Sequence, residues 1–213
     1  MNDFATTVTS FRQILQPPSP RSRRRRIGPI ELQATQLEGF NDLLSSLGWA
    51  TPHLTLDQVA SAARAIVPVD TVVPLMPYIR AQLDRGRLLS MMVADADWQP
   101  ANDRSAAARA VVSYLDDDDG LIPNWVPGVG RLDDALVVEA GWSMLAAEVF
   151  DFQDFCRLRL LEAQLRGVTP GRFPFGRPEW QAARRAEAIL RSQQRILRQR
   201  FHRSAPLEPF RIR

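Results

Sequence analysis

Two clusters of aspartates are the residues of this chain whose types and spacing could support chemistry. Four consecutive carboxylates occupy Asp116–Asp119, and Asp133 and Asp134 follow at the start of the next predicted helix. Clustered carboxylate oxygens suit hard divalent cations, and a two-metal hydrolase needs such groups to converge on one point. Asp118 and Asp119, with the second pair, are therefore candidate metal ligands. They are weak ones, because the spacing is unlike that of a calcium-binding EF-hand loop.

No other group of residues forms a complete catalytic constellation. His53 and His202 have no Cys or Glu beside them at metal-ligand spacing. The single cysteine, Cys156, has no nearby His that could activate its thiol. The sequence also lacks a Walker loop, a dinucleotide-binding glycine fingerprint and a serine-nucleophile elbow. We therefore predict no catalytic residue and no cofactor, and we favour a non-enzymatic role.

Proline and glycine residues set the backbone between the two aspartate clusters. A helix is predicted to end near Leu115, after which Pro123 and Pro127 favour an extended chain. Gly128 and Gly130 permit backbone angles that other residues avoid. The second cluster then lies in the first turn of a new helix, where negative charge meets the positive end of the helix dipole. The alternative to a metal site is therefore structural: helix capping, turn formation or pairing with arginines.

The segment around these clusters resembles the YkvA-like family, whose function is unknown. The family's hallmark is a Tyr-Leu, an acidic turn, an Ile-Pro-Asp, a Pro-x-x-Gly and a Leu-Asp-Asp. The residues at matching places are Tyr114, Leu115, Ile122, Pro123, Pro127, Gly130, Leu132, Asp133 and Asp134. The resemblance covers roughly residues 70–160 and looks closest to longer bacterial members, in which an Asp-Phe-Cys is similar to residues 154–156. It implies a compact helical fold and no particular reaction.

Two positions depart from the family's pattern. Gly120 stands where the family usually has an Asp before the Leu-Ile-Pro, and Asn124 stands where an Asp usually follows that proline. Each difference removes a carboxylate, although Asp119 lies next to Gly120. A ligand that needs both carboxylates in fixed positions is therefore less expected here.

Positive charge is concentrated at the two ends of the chain and negative charge in the middle. Residues 1–30 hold six Arg and one Asp, residues 114–154 hold ten acids and one Arg, and residues 177–213 hold ten Arg and three Glu. All 27 basic residues are Arg, which binds phosphate and carboxylate in bidentate fashion better than Lys does. Two interpretations stay open: the ends fold back on the acidic middle, or they bind an anionic partner.

Two groups of arginines are candidate contacts for nucleic acid or another anion. The first is Arg23–Arg26, in a proline-interrupted stretch that we predict to be a solvated arm. The second is the Arg face of the predicted C-terminal helix, which comprises Arg184, Arg191, Arg195 and Arg198. At about 100° per residue, the opposite face carries Ala183, Ala186, Leu190, Leu197 and Phe201. We expect that apolar face to pack and the Arg face to stay in solvent, available to phosphate or to an acidic partner.

Helical periodicity and weak strand signals predict an all-α protein, a compact bundle of five to seven helices. We expect a basic, flexible N-terminal arm over 1–29 and a helical domain over 30–166 that contains the YkvA-like core. A loop, a basic amphipathic helix and a tail follow over 167–213. Leu132 to about Arg166 is predicted as one long core helix, because apolar residues cover more than one of its faces. Its apolar residues are Leu136, Val138, Trp142, Met144, Leu145, Val149, Phe152, Phe155 and Cys156.

Composition narrows the functional classes. Hydrophobic residues make up 45% of the chain, enough for a core, and no window of 18 residues lacks a charge, so no transmembrane helix is expected. The single cysteine and the lack of a signal peptide favour the cytoplasm. We therefore predict an interaction or scaffold module, as a monomer or homo-oligomer, that engages a protein partner through its acidic turn or Arg face. Two alternatives stay open: a nucleic-acid-binding accessory protein that uses the basic ends, and a divalent-metal hydrolase at the aspartates.

Overall fold

The computed structural model describes residues 25–27, 30–49, 52–66, 77–100 and 102–203. These ranges contain six α-helices and one ribbon of two short strands. The elements are β1 (Arg26–Ile27), β2 (Ile30–Glu31), α1 (Ala34–Ser46), α2 (Leu56–Ile66), α3 (Pro77–Ala94), α4 (Asn102–Leu115), α5 (Leu132–Leu165), a 3-10 turn (Pro170–Arg172) and α6 (Arg177–Arg203). The prediction of an all-α protein with five to seven helices is confirmed for this part of the chain.

Contacts along the chain divide it into two compact units, Met1–Phe152 and Gln153–Arg213. The division falls inside α5, whereas the sequence suggested a boundary after residue 166, which stays a prediction. The two units carry opposite net charges. The first unit holds 13 Arg and 19 acids, and the second holds 14 Arg and five acids.

The N-terminal part of α5 is the central helix of the first unit. All residues from Leu132 to Val138 are buried, as expected of a helix that is apolar on several faces. Further along, Met144 is exposed and Trp142 is half-buried beneath the guanidinium of Arg85, 4.7 Å from the ring centroid. The prediction of a core helix is therefore confirmed, but the place of Met144 in its core was wrong, because continuous burial is confined to the first turns.

Local signals set the ends of the first two helices. Gly48, with φ of 80°, follows α1, and its N–H donates to the carbonyl of Ser45 at 3.0 Å. α2 begins with a capping box. The hydroxyl of Thr55 accepts the N–H of Gln58 at 3.3 Å, and Oε1 of Gln58 accepts the N–H of Thr55 at 2.8 Å. Both ends are therefore set by residues close to them in the chain.

The ribbon β1–β2 was not predicted. Arg26 pairs with Glu31 and Ile27 with Ile30, and Ile27 is buried. Arg64 of α2 donates to the carbonyl of Arg26 at 2.9 Å. The end of the expected N-terminal arm therefore belongs to the fold. Strands of two residues are too short to show alternation in sequence, and contacts with α2 hold them.

In the second unit, α6 packs through a polar side. Trp180 is buried, and its Nε1 donates to Oδ2 of Asp154 at 2.7 Å. Arg184 forms an ion pair with the same carboxylate. Asp154 itself lies on α5, next to the aromatic stack of Phe155 on Phe175, whose ring centroids are 5.8 Å apart.

The expectation that the apolar face of α6 packs was therefore wrong. Leu190 and Leu197 are 58% and 52% exposed, and Ala183 and Ala186 are exposed as well. The side chain of Phe201 lies outside the described residues. Amphipathic spacing alone cannot tell which face packs, because that depends on a carboxylate 30 residues away in the chain. Across the described residues, no helix is both long and apolar enough to cross a membrane.

Asn41 joins α1 to the segment that precedes α2, and it generates a test of this fold. Its Nδ2 donates to the carbonyl of Leu54 at 2.9 Å, and its Oδ1 accepts the N–H of Leu54 at 2.9 Å. Asn41→Ala leaves both buried groups of Leu54 without these partners, so we expect the free energy of unfolding to fall by about 2–4 kcal/mol. Urea unfolding measures it. Asp42→Ala, at the exposed neighbour, should change stability by less than about 0.5 kcal/mol, and equal midpoints for the two variants would contradict the role of Asn41.

Candidate functional site

The acidic turn, Asp116–Asp119, directly follows α4, and all four of its side chains are exposed. Oδ1 of Asp117 accepts the N–H of Asp119 at 3.0 Å, and Oδ1 of Asp118 accepts Nδ2 of Asn124 at 3.2 Å. From α1, Nε2 of Gln36 donates to the carbonyl of Asp119 at 3.2 Å. Two of the four carboxylates thus shape the loop while facing solvent. Asn124 in place of an aspartate adds a hydrogen-bond donor where a further charge would repel Asp118.

The second aspartate pair is buried in the first turn of α5. Oδ2 of Asp133 accepts the hydroxyl of Tyr114 at 2.8 Å and the N–H of Ile122 at 2.9 Å. The Tyr114 hydroxyl in turn accepts the N–H of Leu121 at 3.1 Å. The end of α4, the middle of the loop and the start of α5 are therefore held by one carboxylate and one phenol.

Arg131 completes this arrangement. Its Nε donates to Oδ2 of Asp134 at 2.7 Å, and one of its terminal nitrogens donates to the carbonyl of Leu115 at 3.2 Å. The carbonyl of Leu115 is one of those that a helix leaves without an intrahelical partner at its C-terminus. We call Tyr114, Arg131, Asp133 and Asp134 the polar clasp, because they join the end of α4 to the start of α5.

Two glycines fit the close approach of backbone and clasp. A Cβ on Gly120 would lie 2.8 Å from Oδ2 of Asp133 and 3.4 Å from the Tyr114 hydroxyl. A Cβ on Gly130 would lie only 2.4 Å from the carbonyl oxygen of Asn124. The sequence alone shows Gly120 as a lost carboxylate. The structure shows that this position has no room for a side chain.

The two aspartate clusters do not combine into a metal centre. Asp133 and Asp134 bond within the clasp, while Asp118 bonds to Asn124 at the surface. Among the residues that the structure describes, no group of three or more His, Cys, Asp or Glu side chains could hold a metal ion. The four candidate ligands, which include Asp119, are therefore not brought together.

Burial controls the protonation of the clasp. It raises the pKa of Asp133, and the N–H of Ile122 and the hydroxyl of Tyr114 oppose that rise. Burial, with a contribution from the charge of Asp133, raises the pKa of Asp134 to about 6, against the opposing effect of Arg131. Burial also raises the pKa of Tyr114 far above its usual range, so the phenol stays a hydrogen-bond donor.

The candidate arginines are divided between internal contacts and solvent. Arg23 and Arg24 lie outside the described residues, Arg25 is exposed, and Arg26 pairs with Glu31 at 3.1 Å. All arginines of the Arg face were predicted to be solvated, but Arg184 is half-buried.

Two of the four arginines of that face form ion pairs. Arg184 pairs with Asp154 and Glu187, and Arg191 pairs with Glu187. Although burial opposes it, hydrogen bonds from Arg184 and Trp180 lower the pKa of Asp154. The remaining two, Arg195 and Arg198, are exposed and form no ion pair with other described residues.

Three residues of this site were not singled out by sequence reasoning as functional. Arg131 could have been found, because it lies three residues before Asp134 at a helix start, a spacing that allows pairing. Gln36 could not, since it is 83 residues from the turn it contacts. Trp125 is 68% exposed, although a tryptophan in a proline-rich turn is easily read as a core residue.

The clasp generates a stability test at Tyr114. Tyr114→Phe removes a donor to Asp133 and the acceptor of the Leu121 N–H, so we expect a loss of about 2–3 kcal/mol in the free energy of unfolding. Tyr78→Phe is the matched control. Its hydroxyl donates to Glu139, whose side chain is half-buried, whereas the partners of Tyr114, Asp133 and Leu121, are buried. Its loss should therefore be smaller, about 1 kcal/mol. Denaturant titration of both variants measures these losses. A larger loss for Tyr78→Phe than for Tyr114→Phe would contradict the role given to Tyr114.

The raised pKa of Asp134 predicts a pH dependence. A carboxyl whose pKa is 3.8 when unfolded and about 6 when folded stabilises the fold below pH 3.8, and that stability is lost as the pH rises through about 6. Asp134→Asn keeps an acceptor for Arg131 but cannot ionise. Its stability relative to the wild type should therefore rise between pH 4 and 7, by at most about 3 kcal/mol.

Unfolding titrations at four pH values between these limits measure this difference. Asp118→Asn removes one charge from the exposed turn and serves as the matched control. If the difference in the free energy of unfolding between Asp134→Asn and the wild type stays constant with pH, the pKa of Asp134 is not raised by folding and the prediction is wrong.

A scan against protein-family models and searches of curated proteins and of solved structures find no match to this chain. The YkvA-like resemblance therefore stays a prediction based on the order and spacing of the motif residues.

Proposed function

We propose that this protein is a non-enzymatic interaction module whose acidic turn binds a basic segment of a protein partner. The observation that carries the proposal is Trp125, which is 68% exposed beside exposed carboxylates. The neighbouring Asn124 bonds to Asp118 at 3.2 Å, which places Trp125 next to the acidic turn. A large aromatic side chain is thus presented to solvent on a charged loop.

The residue types on this surface define the partner's chemistry. Tryptophan is enriched at the energetic centres of protein interfaces, and its ring attracts a guanidinium or ammonium group within about 6 Å. The carboxylates of Asp116–Asp119 offer charge-assisted hydrogen bonds to the same groups. An Arg- or Lys-containing segment would satisfy both features, whereas an anionic ligand would be repelled.

The support beneath the turn favours binding over catalysis. Gln36, the Asp118–Asn124 bond and the polar clasp hold the loop before a partner arrives, so little ordering entropy is lost on binding. The buried carboxylates Asp133 and Asp134 already bond to groups of the chain itself and do not face an incoming substrate. A reaction centre at the turn therefore has less support than a docking surface.

The remaining parts of the proposal rest on the sequence. Membership of the YkvA-like family and a bacterial source are supported by the motif around Tyr114–Asp134, and a cytoplasmic location by the lone cysteine. Nucleic-acid binding, the alternative function, has fewer arginines available than the sequence suggested, since Arg184 and Arg191 already form ion pairs. Its signature would be an affinity for DNA or RNA that falls steeply with salt.

Photo-crosslinking tests this function. A photoreactive phenylalanine analogue replaces Trp125 in one full-length variant and Met91 in a matched control, where the native side chain is also exposed. Cells that express each variant are irradiated, and adducts are identified by mass spectrometry. We expect one recurrent protein adduct at position 125 and none of the same mass at position 91.

A second variant tests the role of charge. Conversion of Asp116–Asp119 to Asn, in the chain that carries the crosslinker at 125, should lower the adduct yield about tenfold, as expected if the carboxylates contribute roughly 1.4 kcal/mol to binding. An unchanged yield would separate Trp125 from the acidic turn. The absence of any specific adduct at 125 would defeat the proposal.

A further inference from the structure

The C-terminal helix α6 faces the rest of the second unit with its polar side and turns its aliphatic side to solvent. Trp180 is buried and Arg184 is half-buried against Asp154. On the other side the four large aliphatic residues Ile189, Leu190, Ile196 and Leu197 are 57%, 58%, 50% and 52% exposed. At about 100° per residue these two pairs form one stripe, interrupted by Gln193 and roughly opposite the Arg face.

Little of the described chain covers this part of α6. From Arg185 to Gln199 every side chain except the half-buried Glu187 is exposed. A helical segment of this length is only marginally stable in water unless an amphipathic face packs on something. The same unit also exposes Leu160, Leu161, Leu165 and Val168. Eight of the twelve large hydrophobic side chains exposed by the described residues thus belong to the second unit, the smaller one.

Charge indicates what covers the stripe. The second unit holds 14 Arg against five acids, and α6 alone holds eight Arg against two Glu. A second copy of this unit would bring two strongly positive surfaces together. An extended anionic surface instead complements the arginines on the flank and back of the helix while it accepts the aliphatic stripe.

We propose that α6 lies in the plane of an anionic phospholipid surface. Ile189, Leu190, Ile196 and Leu197 enter the boundary between head groups and acyl chains, as in other amphipathic helices with an aliphatic face and a basic face. Arg185 lies at the edge of the stripe, where its long stem lets the guanidinium group reach lipid phosphates. Arg195 and Arg198 lie on the opposite face and attract the anionic surface at longer range. This surface uses different residues from those of the acidic turn and Trp125, which are proposed to bind the protein partner.

Vesicle sedimentation with the full-length protein tests the proposal. The probes are vesicles of phosphatidylcholine alone and vesicles that also contain phosphatidylserine. We expect binding to the anionic vesicles, weak or no binding to the neutral ones, and a fall in binding as salt screens the arginines. Helix content measured by circular dichroism should stay constant or rise on binding.

Two variants separate the contributions of stripe and charge. Leu190→Ser combined with Leu197→Ser, and separately Arg195→Gln combined with Arg198→Gln, should each lower vesicle partitioning roughly tenfold. All four side chains are exposed, so the fold should be kept, and circular dichroism checks this. Met91→Ser, at an exposed residue of the first unit, is the matched control and should bind like the wild type.

The other occupants give different results. A dimer in light scattering that Leu190→Ser/Leu197→Ser dissociates would assign the stripe to a second copy and overturn the proposal. Binding to DNA without binding to anionic vesicles would assign the arginines to nucleic acid. Equal binding to neutral and anionic vesicles, or none to either, would also overturn it. Trp125→Ala should leave vesicle binding unchanged, because Trp125 is not part of α6. The proposals for protein binding and for lipid binding can therefore fail independently of each other.

Discussion

The buried carboxylate of Asp133 organises the loop between α4 and α5. One of its oxygens accepts hydrogen bonds from the hydroxyl of Tyr114, at the end of α4, and from the N–H of Ile122, inside the loop. Burial keeps water from competing for these bonds, which strengthens them and fixes their geometry. The exposed acidic turn and Trp125 are therefore positioned by a group that does not reach solvent, and no side chain fits at Gly120 above it.

Burying the carboxylates of the polar clasp lowers the stability of the fold, but it gives the loop a defined geometry. Burial raises the pKa of both Asp133 and Asp134, and the charge of Asp133 raises the pKa of Asp134 further. Arg131 offsets part of this cost, because it pairs with Asp134 and also donates to the carbonyl of Leu115 at the end of α4. A purely apolar joint could be as stable, but it would not hold Leu121 and Ile122 by their backbone amides.

Each unit holds a few charged side chains of both signs in internal contacts and exposes much of its majority charge. In the acidic first unit, Arg131 is half-buried within the clasp, and Asp116–Asp119 face solvent. In the basic second unit, Asp154 accepts hydrogen bonds from Trp180 and Arg184, while four of the six α6 arginines whose side chains the structure describes are exposed. The two proposed binding surfaces, one for a basic protein segment and one for anionic lipid, follow from this common pattern.

The sequence by itself determined the features that depend on neighbours in the chain. The glycine stop at Gly48, the capping box of Thr55 and the long apolar run of α5 are short-range, so helix number and helix ends could be predicted. Only the tertiary structure decided which face of α6 packs and why Gly120 lacks a side chain. Both depend on carboxylates distant in sequence, Asp154 and Asp133, and amphipathic periodicity does not record which side of a helix meets such a group.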